Sequence, residues 1–293
     1  MATSSMTNPG SLKDRDTLNQ QYLPRLSVKN ADELTAKSEK RSARVRATLD
    51  AALDMPYGDS VRQTLDIFPA ATPNAPVLVF IHGGYWRATD LTKSTYSHIA
   101  KPFVQAGATV VLPEYDLCPQ VGIRDIVQQM RNALVWIYRR IKRYNGDRRR
   151  IVVCGHSAGG HLTGMMAATD WRAYAGLPNT LISATAPLSG LFDIRAHRHT
   201  DLQEDIRLSV ADAAALSPMR IPSIARAPSL VVVGGDESDL FHWQSLQYAA
   251  NLRAEGIAAE YLATPNDNHF TITDRLGKSR DPLVRRLLDL LAL

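Results

Sequence analysis

The sequence predicts an α/β fold: a mainly parallel sheet covered by helices on both faces. Three observations carry this. Nearly continuous apolar runs such as Val77–Ile81 and Val231–Val233 suit strands buried on both sides. Helix-compatible segments such as Ile123–Tyr144 and Trp243–Glu255 alternate with them. Glycine-rich clusters follow the ends of the apolar runs, where such sheets place their ligands.

Taken in order, Met1–Lys13 reads as a frayed tail, and Asp14–Leu53 as an irregular stretch followed by a charged helix from about Ala31. Val61–Phe68 alternates as an antiparallel strand does, and Pro76–Ile81 is the first strand covered on both faces. A helix over Leu91–Ala106, a strand over Ala108–Leu112, the long amphipathic helix Ile123–Tyr144 and a strand over Arg150–Cys154 follow. Further strands are expected at Leu181–Pro187, Ser229–Val233 and Ala258–Ala263, and a last helix at Pro282–Leu291. The polar stretch Gly190–Met219 breaks the alternation and reads as a cap or excursion over the site. With no internal repeat or low-complexity linker, residues 1–293 form one domain, 1–55 being an N-terminal tail and helix.

Hydrophobic and charged contents of 45% and 22% are ordinary for a globular chain and exclude disorder, collagen-like and coiled-coil classes. The formal charge of +5 is modest, and its basic runs, Lys37–Arg46 and Arg139–Arg150, read as solvated helix faces without the interleaved aromatics of a nucleic-acid groove. Cys118 and Cys154 are the only cysteines, Cys154 in a buried strand, so no disulfide framework is expected. Met1–Asp14 lacks the apolar core of a signal peptide, and no run reaches membrane-spanning length. The expected setting is the cytoplasm and the expected partner a small-molecule substrate, with neither nucleic acid nor membrane involved and a homodimer left open.

The chemistry centres on Val152–Leu162, in which a β-branched run meets Gly155-His156-Ser157-Ala158-Gly159 and then a helical pattern. This is the pattern of a nucleophile elbow: a tight strand-to-helix turn lifts a serine clear of its backbone and crowds the positions two before and two after it. Acyl transfer also needs a base, a group to orient the base, and donors for the oxyanion. Val231-Val232-Val233-Gly234-Gly235-Asp236-Glu237 sets two carboxylates just past a strand, and strand spacing alone leaves Asp236 and Glu237 level, with Asp239 a weaker third. His269 is the only histidine after the helix that follows this acidic loop, and it stands in a turn-rich loop beyond the last strand. His82-Gly83-Gly84 supplies backbone N–H groups free to approach a substrate oxygen, with the Ala158 amide as a further donor. Tyr85 and Trp86 beside that loop are candidate walls for a flat substrate. His156 and His161 read as local packing, and His197 with His199 has no further ligand cluster, so no metal or other cofactor is expected.

His82-Gly83-Gly84-Tyr85-Trp86, Gly155–Leu162, the late acid and His269 together resemble the kynurenine formamidase (arylformamidase) branch of the α/β-hydrolases. The broader hormone-sensitive-lipase-like esterases usually carry a third glycine where Tyr85 stands. Leu18–Arg25, Tyr57-Gly58 with Leu65–Phe68, Leu117–Pro119, Leu188–Asp193, and Phe241 with Gln244-Ser245 also look like segments of this family. Laying the family's acid-Ser-X-Glu-Phe-X-Arg-Gln on Ser238, Phe241 and Gln244 favours Glu237 over Asp236 as the catalytic acid; Leu240 and Trp243 depart from that pattern. The resemblance implies a serine hydrolase of an aryl formamide such as N-formylkynurenine, or of a related small amide or ester. A short-chain carboxylesterase with the same residues, or a binding protein on a hydrolase scaffold, are the competing readings.

Overall fold

A computed structural model of the chain describes residues 13–293. The expected tail, up to residue 12, lies outside the described residues. One eight-stranded sheet runs through the molecule: β1 (Ala52–Pro56), β2 (Thr64–Phe68), β3 (Ala75–Ile81), β4 (Thr109–Pro113), β5 (Gly146–His156), β6 (Ala184–Leu188), β7 (Ser229–Gly234) and β8 (Ala259–Thr264). Its order is β1-β2-β4-β3-β5-β6-β7-β8. The β1–β2 and β2–β4 pairs are antiparallel and the rest parallel.

The apolar runs become double-faced strands. In β3, Val77, Val79 and Ile81 enter one core cluster while Leu78 and Phe80 enter the other, because successive side chains leave opposite faces. β5 divides Ile151 and Val153 from Val152 and Cys154 in the same way. Each face is then covered by helices. Ile123–Arg140 packs Ile126, Met130, Leu134 and Ile137 on one side; Ala100–Gln105 and Pro282–Leu290 lie on the other, contributing Phe103, Leu283 and Leu287. Cys118 and Cys154 are buried and free.

Several segments depart from expectation, strand β1 among them, since the first strand was expected at Val61–Phe68. Arg15–Tyr22, expected to be irregular, is a helix capped by Asp14, whose carboxylate accepts from the Thr17 N–H. It continues through Pro24–Leu26 into helix Ala31–Thr48 as a strap over the carboxyl ends of the strands. The Tyr22 ring packs on Phe241 and His197, and its hydroxyl accepts from Gln244 Nε2 at 2.7 Å. Within the first basic run, Arg41 and Arg46 turn inward to pair with Asp274 and with the fully buried Asp66, rather than lining a solvated face. The second run is divided between the end of helix Ile123–Arg140 and the outer residues of β5. Among the described residues, no helix is long and apolar enough to cross a membrane.

Candidate active site

The groups singled out in the sequence come from four loops, those leaving the carboxyl ends of β3, β5, β7 and β8. β5 ends at His156, and Ser157 turns directly into helix Ala158–Ala167 with φ 58° and ψ −117°, a conformation costly for a residue with a Cβ. The surrounding glycines permit it. A Cβ on Gly155 would overlap the Gly159 carbonyl, and one on Gly159 would overlap the carbonyl oxygens of Ile81 and His82. Gly159→Ala should therefore destabilise the fold by at least ~3 kcal/mol through backbone overlap that no rotamer relieves. Denaturant unfolding checks this, and a loss below ~1 kcal/mol would mean that the close approach does not exist.

β3 leads into His82-Gly83-Gly84. The His82 ring stacks on Tyr115 at 4.4 Å, and its Nε2 pairs with Glu114 Oε1 at 2.8 Å. Burial alone would raise the Glu114 carboxyl, but His82, Arg62 and the Lys93 N–H outweigh it and hold it down at about 2. The chain then passes through Gly84 (φ 119°), Tyr85 (φ 54°) and Trp86 (φ 60°), a left-handed run that turns consecutive amides away from the sheet. Among the described residues, none of the amides of Gly83, Gly84 or Ala158 donates to another backbone group. A Cβ on Gly83 would lie 2.8 Å from the His156 carbonyl oxygen, so this loop and the elbow are in direct contact.

β7 delivers the acid. The Glu237 side chain is 1% exposed, and its Oε2 accepts from His269 Nδ1 at 2.6 Å. Its Oε1 accepts from the Gly234 N–H at 2.7 Å and from the Ser189 hydroxyl. Asp236 is exposed, and only its backbone is engaged, donating to the Asp267 carbonyl. Asp239 is likewise exposed, at the start of helix Asp239–Ala254. His269 is held by its own loop: Asn268 Oδ1 accepts from the N–H groups of Phe270 and Thr271, and Asp267 pairs with Arg275 at 2.8 Å. With Nδ1–H committed to Glu237, Nε2 is the nitrogen with a lone pair to offer. Among the described residues, no hydrogen bond joins His269 to Ser157 in this conformation, but both line one cleft with Gly84, Tyr85 and His156.

That cleft encloses about 520 Å³, its open mouth included. Leu34, Leu91, Tyr85, Tyr96 and Phe270 give it an apolar lining. Its roof differs from expectation: Arg25, Leu34, Thr35 and Ser38 of the N-terminal strap line it, and no residue of 190–219 does. The excursion instead packs beside it, where Gln244 Oε1 accepts from the N–H groups of Phe192 and Asp193. Trp86 likewise does not form a wall. It is fully buried, and its Nε1 donates to His161 Nδ1 at 3.3 Å, because the left-handed run swings its ring into the core while Tyr85 faces the cleft. His161 Nε2 in turn donates to the Leu216 carbonyl, and burial lowers this histidine to about 4. His197, buried between Tyr22 and Trp86, is lowered by burial to about 3, and His199 is not grouped with it as a metal site: among the described residues, no cluster of three or more His, Cys, Asp or Glu could hold a metal ion.

Sequence reasoning missed Ser189 as a partner of the acid. Its signal is positional, since it follows β6 as Ser157 follows β5. It also missed the strap. His156 lies tilted against His269, ring centroids 4.5 Å apart; burial, then the charge of His269, keeps it neutral well below its ordinary value.

The chain is similar to known proteins over nearly its whole length. A family model described as BD-FAE matches residues 65–207. The kynurenine formamidases of Danio rerio and Salmo salar are 28% and 29% identical to the chain, covering 94% and 95% of it and 96% and 97% of their own lengths. A crystal structure from Silicibacter sp. tm1040, described as that of a candidate thioesterase, superposes with a TM-score of 0.80 at 29% identity, covering 90% of this chain and 96% of that one. The elbow, the strand order and this near full-length likeness give the chain the α/β-hydrolase fold and make it a hydrolase similar to the kynurenine formamidases.

Proposed function

We propose that the chain cleaves an aryl formamide, or a related small amide or ester, through an acyl-enzyme formed on Ser157. The observation that carries this reading is the convergence of Ser157 and His269 on one apolar cleft, with Glu237 bonded to the far nitrogen of His269. In the reaction, Ser157 Oγ attacks the formyl carbon while His269 Nε2 takes its proton. The Gly83, Gly84 and Ala158 amides receive the developing oxyanion. His269 then gives the proton to the aryl nitrogen, the C–N bond breaks and the arylamine leaves. A water, deprotonated by His269, attacks the formyl ester and releases formate, restoring Ser157. Glu237 keeps the proton of His269 on Nδ1 throughout and balances the imidazolium formed in each half. The aromatic lining of Tyr85, Tyr96 and Phe270 suits an aryl leaving group. The two free, buried cysteines suit a reducing, cytoplasmic setting.

A short-chain carboxylesterase using the same residues is the second reading, favoured by the apolar Leu34, Leu91 and Phe270 in the cleft, which suit a small acyl or alkyl group as well as an aryl one. Purified protein assayed with N-formylkynurenine and with p-nitrophenyl acetate, a chelator present, separates the two. We expect deformylation with kcat/KM at or above ~10⁴ M⁻¹s⁻¹. Turnover of the ester alone would refute the formamide reading and leave the esterase.

A further inference from the structure

Of the side chains lining the cleft, Arg25 is the one that carries a permanent charge; the others are aliphatic, aromatic, hydroxyl or histidine groups. Its side chain is 34% exposed while Ser157 is 4% exposed, which sets Arg25 at the mouth and the serine at the floor. The guanidinium lies 5.9 Å over the Phe270 ring, next in the chain to His269, and is steadied from outside by Asp32 and by Asp90 at 3.1 Å. Those two carboxylates are 88% and 62% exposed, so water screens them more than it screens the arginine. Each Nη is engaged once there, and a guanidinium has five N–H donors. A cation in a cleft that holds no other permanent charge favours an anion at the mouth-side end of whatever occupies it, and the planar fork matches a carboxylate.

We propose that Arg25 is a specificity residue that binds a carboxylate on the substrate, remote from the scissile carbonyl. The substrate class is then an aryl formamide or ester whose aryl part carries an acid, the aryl ring lying among Tyr85, Tyr96 and Phe270. This rests on the hydrolase reading given under Proposed function and adds to it the group recognised at the far end. Because Arg25 stands off the reacting atoms, its contribution falls on KM and spares kcat for small neutral substrates.

The test compares full-length wild type, Arg25→Gln and Arg25→Lys on two matched pairs. N-formylkynurenine and formanilide differ in the acid among formamides; 4-acetoxybenzoate and phenyl acetate differ in it among esters. For Arg25→Gln, KM should rise roughly 10- to 100-fold for each acid-bearing substrate, with kcat within about threefold, and should change less than about threefold for each neutral one. Arg25→Lys, which keeps the charge without the fork, should recover part of the loss. Equal losses on acid-bearing and neutral substrates, or no change on any, would overturn the proposal. If neither formamide is turned over but the ester pair still separates, the formamide reading fails and the role of Arg25 stands.

Discussion

Ser157→Ala is expected to lower kcat by on the order of 10⁵- to 10⁶-fold on any substrate the wild type hydrolyses. The substitution removes only Oγ. The strained φ of 58° is imposed by the close approach of Gly155 and Gly159 to neighbouring carbonyls, and alanine keeps the Cβ that Gly83 already accommodates, so the fold is preserved. What is lost is therefore chemical. Because the serine and His269 act as a unit, Ser157→Ala/His269→Ala should be no slower than either single variant, and the residual rate should reflect the amides alone. A fluorophosphonate should label wild type at Ser157 and leave Ser157→Ala unlabelled. Single-turnover kinetics with mass spectrometry reads both. A variant retaining more than about 1% of wild-type kcat would remove Ser157 from the mechanism, and folded wild type that resists labelling would favour a binding protein on this scaffold.

The sheet was legible because its strands are written twice, once in β-branched composition and once in the glycine-rich loops at their ends. β3, β5 and β7 fall within a few residues of their expected bounds for that reason. The elbow was legible because its glycines answer to local backbone crowding, which a sequence records directly. Glu237 was less so: it and Asp236 stand equally close to the end of β7, so strand spacing leaves them level, and beyond the family pattern it is the contact with His269, in the loop after the neighbouring β8, that separates them. The strap was not legible. Arg15–Tyr22 has little hydrophobic periodicity, and its helix is held by long-range partners such as Gln244 and Phe241, more than 200 positions away. The fate of Trp86 was hidden for a similar reason. Its place beside the oxyanion loop was visible, but the direction of its ring depends on a left-handed run of non-glycine residues that propensity does not foretell. The polar excursion misled through composition: Asp193 and His197 within it are buried beside the site, whereas the roof over Ser157 is built from the N-terminal strap.

Glu237→Gln should lower kcat by about 10⁴-fold, while Asp236→Asn changes it by less than about twofold. The contrast follows from the donors around the two carboxylates. Glu237 receives three, from Gly234, Ser189 and His269, so every contact it makes requires an acceptor. A glutamine keeps the shape but can satisfy only part of this set. With its oxygen toward Gly234 and Ser189, its NH₂ faces His269 Nδ1 and stabilises the tautomer whose proton sits on Nε2, leaving no lone pair for the Ser157 proton. With the amide reversed, two donors oppose an NH₂ in a buried place, and stability suffers instead. Ser189→Ala removes one of the three donors and should cost much less, about 10-fold, by loosening the carboxylate that orients His269. Asp236, exposed and bonded only through its backbone, has no part in this chain of contacts. The pH–rate profile adds a readout that simple unfolding would not mimic: Glu237→Gln should lose activity even where His269 is neutral, because the defect lies in where the proton sits and not in whether one is bound. Equal losses in Glu237→Gln and Asp236→Asn would show that the acid had been assigned to the wrong carboxylate.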